Sequence, residues 1–246
     1  VADPLFWQSG NLWRRSPQIR AGYSGDYGGL LASLQLAMLS PADASSPVDF
    51  GAGNRSRRPD LEGRLSLGYR MQTMKLAEVG IGYHTGARRY PTALPYLQTD
   101  FTATLIGVDA EVNVLQYATL KGEWYSGDGT DDTYNGTVLA VNGATSPTKL
   151  VRSSGFWAQL VMKPFEILHL HVGYGSGEGD RTDLPATASS PPAPPRQKNT
   201  QLAAGILFNA GRHWKFGLEG IRVETTYLDG LRVKGDQLAL SSKLDL

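Results

Sequence analysis

"SPQIRAGYSGDYGGLLASLQLAML", Ser16 to Leu39, decides the fold, because its apolar residues fall at every second position. Ile19, Ala21 and Tyr23 alternate with Gln18, Arg20, Gly22 and Ser24, so a strand through them has two unlike faces. At the centre, "SGDYGG" supplies turn chemistry in Gly25, Asp26, Gly28 and Gly29. Beyond it Leu30, Ala32, Leu34, Leu36 and Met38 alternate with Leu31, Ser33, Gln35 and Ala37. The segment predicts a hairpin.

The same signature recurs along the chain. Leu65, Leu67 and Tyr69 oppose Glu62, Arg64, Ser66 and Arg70, and after "QTMK" Ala77, Val79, Ile81 and Tyr83 oppose Glu78, Gly80, Gly82 and His84. Ile106 to Val112 sets Ile106, Val108, Ala110 and Val112 against Asp109 and Glu111, then turns near "LQY" into Leu120 and Trp124 opposite Lys121 and Glu123. Phe156, Ala158, Leu160 and Met162 oppose Trp157, Gln159 and Lys163; Leu168, Leu170, Val172 and Tyr174 oppose His169 and His171. Leu202 to Phe208 turns at "NAGRH" into Trp214, Phe216 and Leu218 opposite Lys215 and Glu219, and a last strand carries Leu238, Leu240 and Leu244 opposite Gln237, Ala239 and Lys243. About eleven strands of about ten residues result, the length of a tilted membrane-crossing β-strand.

Composition narrows the setting. The chain has 246 residues, no cysteine and a formal net charge of +1. Missing cysteine excludes a disulfide scaffold and a thiolate metal site, and the near-neutral balance argues against a nucleic-acid partner. No apolar run approaches the ~20 residues of a membrane helix.

Short turns alternate with long polar segments such as "SPADASSPVDFGAGNRSRRPD", "SGDGTDDTYNGTVLAVNGATSPTK" and "GEGDRTDLPATASSPPAPPRQKNT". That alternation describes an all-β, transmembrane antiparallel barrel of the outer membrane, with the short turns in the periplasm. In a soluble sandwich the apolar face would instead be the inside. The membrane reading is favoured by polar faces carrying opposed charges, as a water-filled lumen would. It is also favoured by Tyr23, Tyr69, Tyr83, Trp124, Tyr174 and Trp214, placed near strand ends as interfacial aromatics are. With the opening turn periplasmic, the first strand descends from outside, so the odd strand count predicts that earlier strands precede this chain.

Several segments carry a family resemblance: "DPLFWQSGNLWRRSPQIRAGY", "GVDAEVNVLQYATLKGEWYSGD", "GFWAQLVMKPFEILHLHVGYG", "WKFGLEGIRVETTYLDG" and the closing "QLALSSKLDL". Together they resemble the later strands of DcaP-like outer-membrane porins. The resemblance implies a homotrimeric diffusion channel of about sixteen strands, set among lipid and lipopolysaccharide in the outer membrane of a Gram-negative bacterium. Residues 1–246 would form a single barrel domain lacking its first strands. The chain departs from that family in lacking the earlier strands and in ending at Leu246 rather than at an aromatic residue.

If about five strands are missing, as the resemblance implies, the segment before Ser16 becomes the third external loop, which in many general porins folds into the lumen. Trp7, Trp13, Arg14 and Arg15 would then lie at a constriction, with Arg20 just below. The alternative keeps Arg14 and Arg15 on the outside, against lipopolysaccharide phosphates. Further candidates for lining the pore are Arg64, Arg70, Glu62, Glu78, Asp109, Glu111, Lys121 and Glu123, all on polar strand faces. Opposed charges there produce a transverse field, and the arginines lean it towards small anions such as carboxylates. Glu62 and Glu78 could equally neutralise Arg64 and Arg70.

Other chemistry is thin. His169 and His171 share a face but lack a third metal ligand. Asp128, Asp131 and Asp132 of "GDGTDD" lack the ligand order of an EF-hand. No nucleophile elbow, phosphate loop or zincin motif occurs. The sequence therefore predicts a non-enzymatic barrel without cofactor that passes small hydrophilic solutes by passive diffusion. The competing expectation is a structural or adhesive barrel with a plugged lumen and partner-binding loops.

Overall fold

A computed structural model describes residues 17–41, 56–89, 100–114, 116–129, 141–142, 149–186, 194–211 and 213–244. Among these described residues thirteen strands run in chain order: β1 (Gln18–Tyr27), β2 (Leu30–Leu39), β3 (Asp60–Met71), β4 (Met74–Arg89), β5 (Asp100–Val114), β6 (Ala118–Asp128), β7 (Val141–Asn142), β8 (Lys149–Leu150), β9 (Arg152–Phe165), β10 (Leu168–Gly179), β11 (Arg196–Ala210), β12 (Trp214–Tyr227) and β13 (Arg232–Leu244). Eleven of them form one antiparallel meander in which each strand pairs with its neighbours in sequence; β7 and β8 form a separate two-stranded ribbon. Among the described residues β1 and β13 are the two edges of the sheet.

Alternation in the sequence becomes two faces because paired residues share a side. Across β1 to β4 the row Tyr23, Leu34, Leu65, Ile81 is apolar, while the next row inserts Ser33 against Ser66, whose hydroxyls bond at 2.7 Å. Val108, Trp124 and Phe156 extend the apolar side across β5, β6 and β9, and Ile206 and Leu218 extend it across β11 and β12. These large side chains stay widely exposed, Leu34 at 45% and Leu240 at 82%, whereas Ser66, Gln159 and Gln201 on the polar side are below 9%. Side chains on one face crowd and those on the other splay, as happens when a sheet curls with its polar face inside.

Turn chemistry explains the tight end. Gly28 and Gly29 adopt φ of 71° and 98°, the left-handed conformation a two-residue hairpin turn demands, and Asp26 accepts the Gly29 amide at 2.9 Å. Short turns at Gln72–Thr73 and Glu166–Ile167 lie at the same end of the sheet, as do the end of β11 and the start of β12. Near this end the apolar face carries Tyr27, Tyr69, Phe165, Phe208, Trp214 and Phe216, with the Trp214 and Phe216 rings stacked at 6.0 Å. A second set, Tyr83, Trp124, Phe156 and Tyr174, follows six to nine residues further along the strands, leaving a band of aliphatic residues between the two.

Beyond the second aromatic set the outward side changes character. Arg89 bonds Asp100 at 2.7 Å, Lys198 pairs with Glu178 at 3.0 Å, and Arg222 grips Asp236 at 2.7 Å. Lys234 and Arg232 both approach Glu224. These strand tails correct the expected length of about ten residues: β1 and β2 have ten, and the remaining strands of the sheet have 11 to 16. The ends of the last two strands also change. The sequence reading stops β12 near Glu219 and starts β13 at Gln237, but the strands run on to Tyr227 and from Arg232, joined by a tight turn over Leu228–Leu231.

Candidate functional site

The polar face concentrates charge on β2 to β6, and its geometry depends on glycine. Arg64 on β3 pairs in register with Gly82, one step from the Gly80–Asp109 pair that joins β4 to β5. Its guanidinium therefore lies over Gly80 and donates to Asp109 twice, at 2.9 Å from Nε and 2.5 Å from Nη2, with a further bond to Glu78 at 3.0 Å. A Cβ on Gly80 would fall 2.5 Å from Arg64 Nη2 and 2.6 Å from the Asp109 carboxylate. Lys75 continues the chain of alternating charge, at 3.0 Å from Glu78 and 3.2 Å from Glu111. Asn113 donates to Glu111 at 3.0 Å and accepts from Thr119 at 2.6 Å.

Around this core the partners are less symmetrical. Arg20 donates to two neutral amides, Gln35 at 3.1 Å and Gln18 at 3.0 Å. Glu123 accepts from the Trp157 indole at 3.1 Å, and Lys121 stands 6.0 Å above the same ring. Glu62 bonds His84 Nδ1 at 3.1 Å. Nearer the loop end Arg88 and Asp60 form a fully buried two-point ion pair at 2.9 and 3.2 Å. A cleft lined by Arg20, Gln35, Glu62, Arg64, Asp109 and Glu123 opens on this wall.

Five of the residues expected to line a pore thus share one cleft, and Glu78, Glu111 and Lys121 adjoin it through the network. Arg70 does not join them. It sits beside the β3–β4 turn and pairs with Asp26 from β1, six residues further along β3 than Arg64. The expected neutralisation is also redistributed: Glu78 answers Arg64, Glu62 answers His84, and Asp26 answers Arg70. Trp7, Trp13, Arg14, Arg15, Asp131 and Asp132 lie outside the described residues, while Asp128 approaches Arg152 at 4.0 Å.

Sequence reasoning missed the straddling partners. On β10 the His171 ring crosses β11 above Gly205 and bonds Glu219 of β12 at 2.8 Å. A Cβ at Gly205 would lie 2.5 Å from His171 Cε1 and 2.8 Å from the Leu218 carbonyl. Glycines at polar-face positions, such as Gly80 in "EVGIGYH", were the available signal. Glycine in a strand interior often marks a close approach.

No protein-family model matches the sequence, and no curated protein matches it. Solved structures do. The outer membrane channel DcaP of Acinetobacter baumannii superposes with a TM-score of 0.76 at 15% identity, over 96% of this chain and 64% of that one. The chain has the fold of an outer-membrane porin. It spans less than two thirds of the length of that channel. The anion-selective porin from Comamonas acidovorans gives a TM-score of 0.50 at 11% identity over 91% of this chain and 55% of the other. OmpT of Vibrio cholerae, expressed in the outer membrane, gives 0.50 at 10% identity over 92% and 64%. With this fold the apolar band faces membrane hydrocarbon and the polar face is the lumen side.

Proposed function

We propose that the chain is most of the wall of a porin through which small hydrophilic solutes diffuse passively. In this reading residues 1–246 belong to one barrel domain, further strands of a longer protein close the barrel, and the assembled channel is a homotrimer surrounded by lipid and lipopolysaccharide. Supporting it most directly is the contrast between the two faces: an apolar band framed by aromatic residues, backed by a polar face of bonded charges and bare glycines. Bound, mutually neutralised charges keep a wall wet without trapping a permeant ion.

Within this reading Arg20 is the cation of the cleft held by neutral amides, so its charge faces solutes undiminished by a bonded carboxylate. It supports a mild preference for small anions such as carboxylates, to which Arg14 and Arg15 would add if the segment before Ser16 turns inward. The full-length protein in a planar bilayer tests the proposal. Stepwise, ohmic conductance is expected, and Arg20→Gln with Arg14→Gln and Arg15→Gln should move the reversal potential in a salt gradient towards cation preference. A protein that folds and inserts but conducts nothing would refute the channel. An unchanged reversal potential would refute the arginines' part in it.

A further inference from the structure

The cleft on β1 to β6 has a floor without side chains. Arg64, Gly82 and Gly107 stand in one row across β3, β4 and β5. A Cβ added to Gly82 would find its nearest neighbour at 3.8 Å and one on Gly107 at 3.6 Å, a backbone carbonyl in each case, so the space above these two positions is open. Gly80, one row nearer the short turns, is instead roofed by the Arg64 guanidinium. Open space over a strand-interior glycine lets another molecule approach the backbone closely.

Two charges at the ends of this floor have no ionic partner among the described residues. At the β1–β2 end the Arg20 guanidinium is held by the side-chain carbonyls of Gln18 and Gln35. At the β5–β6 end Glu123 opposes Asp109 in register. Arg64 takes both oxygens of Asp109, whereas Glu123 accepts only the neutral Trp157 indole, on Oε2. The other oxygen, Oε1, lies 4.0 Å from the Cβ position over Gly107 and so faces the bare floor. Lys121 opposes Glu111, one row nearer the turns, and its ammonium stands 6.0 Å from the centre of the Trp157 ring. Glu62 and His84, on the loop side of the cleft, bond each other at 3.1 Å.

The separation of the two charges selects a ligand. Arg20 is bonded to Gln35 of β2 and the Glu123 oxygen lies over Gly107 of β5, three strands away. At about 4.8 Å per strand spacing the backbones lie about 14 Å apart, and on the concave side of a curled sheet the gap closes towards about 10 Å. An extended peptide advances about 3.3–3.6 Å per residue, so three or four residues carry an ammonium and a carboxylate that far apart. Building on the channel reading above, we propose that this cleft is a subsite for short zwitterionic peptides of three or four residues. The terminal carboxylate lies at Arg20, the terminal ammonium at Glu123, and the peptide backbone over Gly82 and Gly107. A small anion meets Arg20 alone, whereas a zwitterion of this length is held at both ends. Arg64 and Asp109 are bonded to each other beside the floor and compete for neither.

The test records the concentration that half-blocks the open-channel current of the full-length protein in a planar bilayer at pH 7.0. Trialanine should block at a concentration about five-fold below that of N-acetyl-trialanine or trialanine amide, each of which lacks one end charge. Alanine, whose two charges are too close together to reach both ends, should show no such advantage over its own end-blocked forms. Glu123→Gln, which keeps an acceptor for the Trp157 indole, should remove the advantage of trialanine over the acetylated peptide. Arg20→Gln should remove its advantage over the amide. Heat-modifiable migration on gels establishes that each variant is folded, and the comparison of peptides on the native protein stands without them. Equal block by trialanine and either end-blocked form, an equal advantage for alanine, or an advantage that survives either substitution would overturn the subsite while leaving the channel intact. Absence of any conductance overturns the channel reading, and the subsite falls with it.

Discussion

Arg64 on β3 bonds Asp109 on β5 across the full width of β4, over Gly80. Backbone hydrogen bonds join each strand only to its immediate neighbours, so a side chain that clears one strand and grips the next adds a tie of a different order. His171 and Glu219 repeat the arrangement over Gly205, two strands apart again. In both cases the strand between must offer no side chain at the crossing point.

Alanine at position 80 should break the first tie. Its Cβ would sit inside contact distance of both the guanidinium and the carboxylate, and both must move away. The loss expected in unfolding free energy is about 1 kcal/mol, held down by the partial exposure of the pair. Gly82→Ala supplies the control on the same strand and face, because its nearest neighbour would be 3.8 Å away. Urea unfolding of the full-length protein in detergent, followed by gel mobility, should separate the two variants. Equal effects would mean that the crossing is not a structural tie.

Charge placed on the two faces should behave very differently. Leu34→Lys puts an ammonium on the hydrocarbon band and should cost about 2–4 kcal/mol or block assembly. Ser33→Lys, one residue away, faces the lumen and should cost far less. Folding yields into lipid vesicles report the difference, and similar yields would contradict the face assignment.

The buried pair at the loop end offers a third check. Arg88→Met removes the two-point guanidinium from the Asp60 carboxylate in a site without solvent access, leaving His84 at 3.8 Å, at an expected cost of about 3 kcal/mol. Adding Asp60→Asn should recover at least half of that loss. A double variant as unstable as the single one would show that Arg88 acts through packing rather than by answering the charge.

Much of the membrane-facing architecture was legible because lipid on one side and water on the other force a strict period of two. Leu30 to Met38 and Leu65 to Tyr69 show it plainly. Legibility stops where the strands leave the hydrocarbon. In "IRVETTY" the outward residues are Arg222 and Glu224 and the inward ones Ile221 and Val223, so the polarity pattern reverses while the strand continues. The charged candidates of the cleft were visible one by one, but their partners were not. Glu78 is 14 residues from Arg64, Asp109 is 45, and Glu219 is 48 from His171, distances closed only by register. Polar-face glycines read as mere gaps in alternation until the side chains above them are seen.

The charged strand tails also bear on the height of the wall. β4 has 16 residues and β5 has 15; at about 3.3 Å per residue and a tilt near 40°, such strands stand roughly 40 Å tall against an apolar band of about 25 Å. The difference lets this part of the wall project about 15 Å past the hydrocarbon, wetted on both sides, whereas the ten-residue β1 and β2 span little more than the band itself. In 0.1 M salt the Debye length is about 10 Å. The Arg89–Asp100 pair at the ends of these two strands therefore stands largely shielded from the phosphate charge of the surrounding lipid.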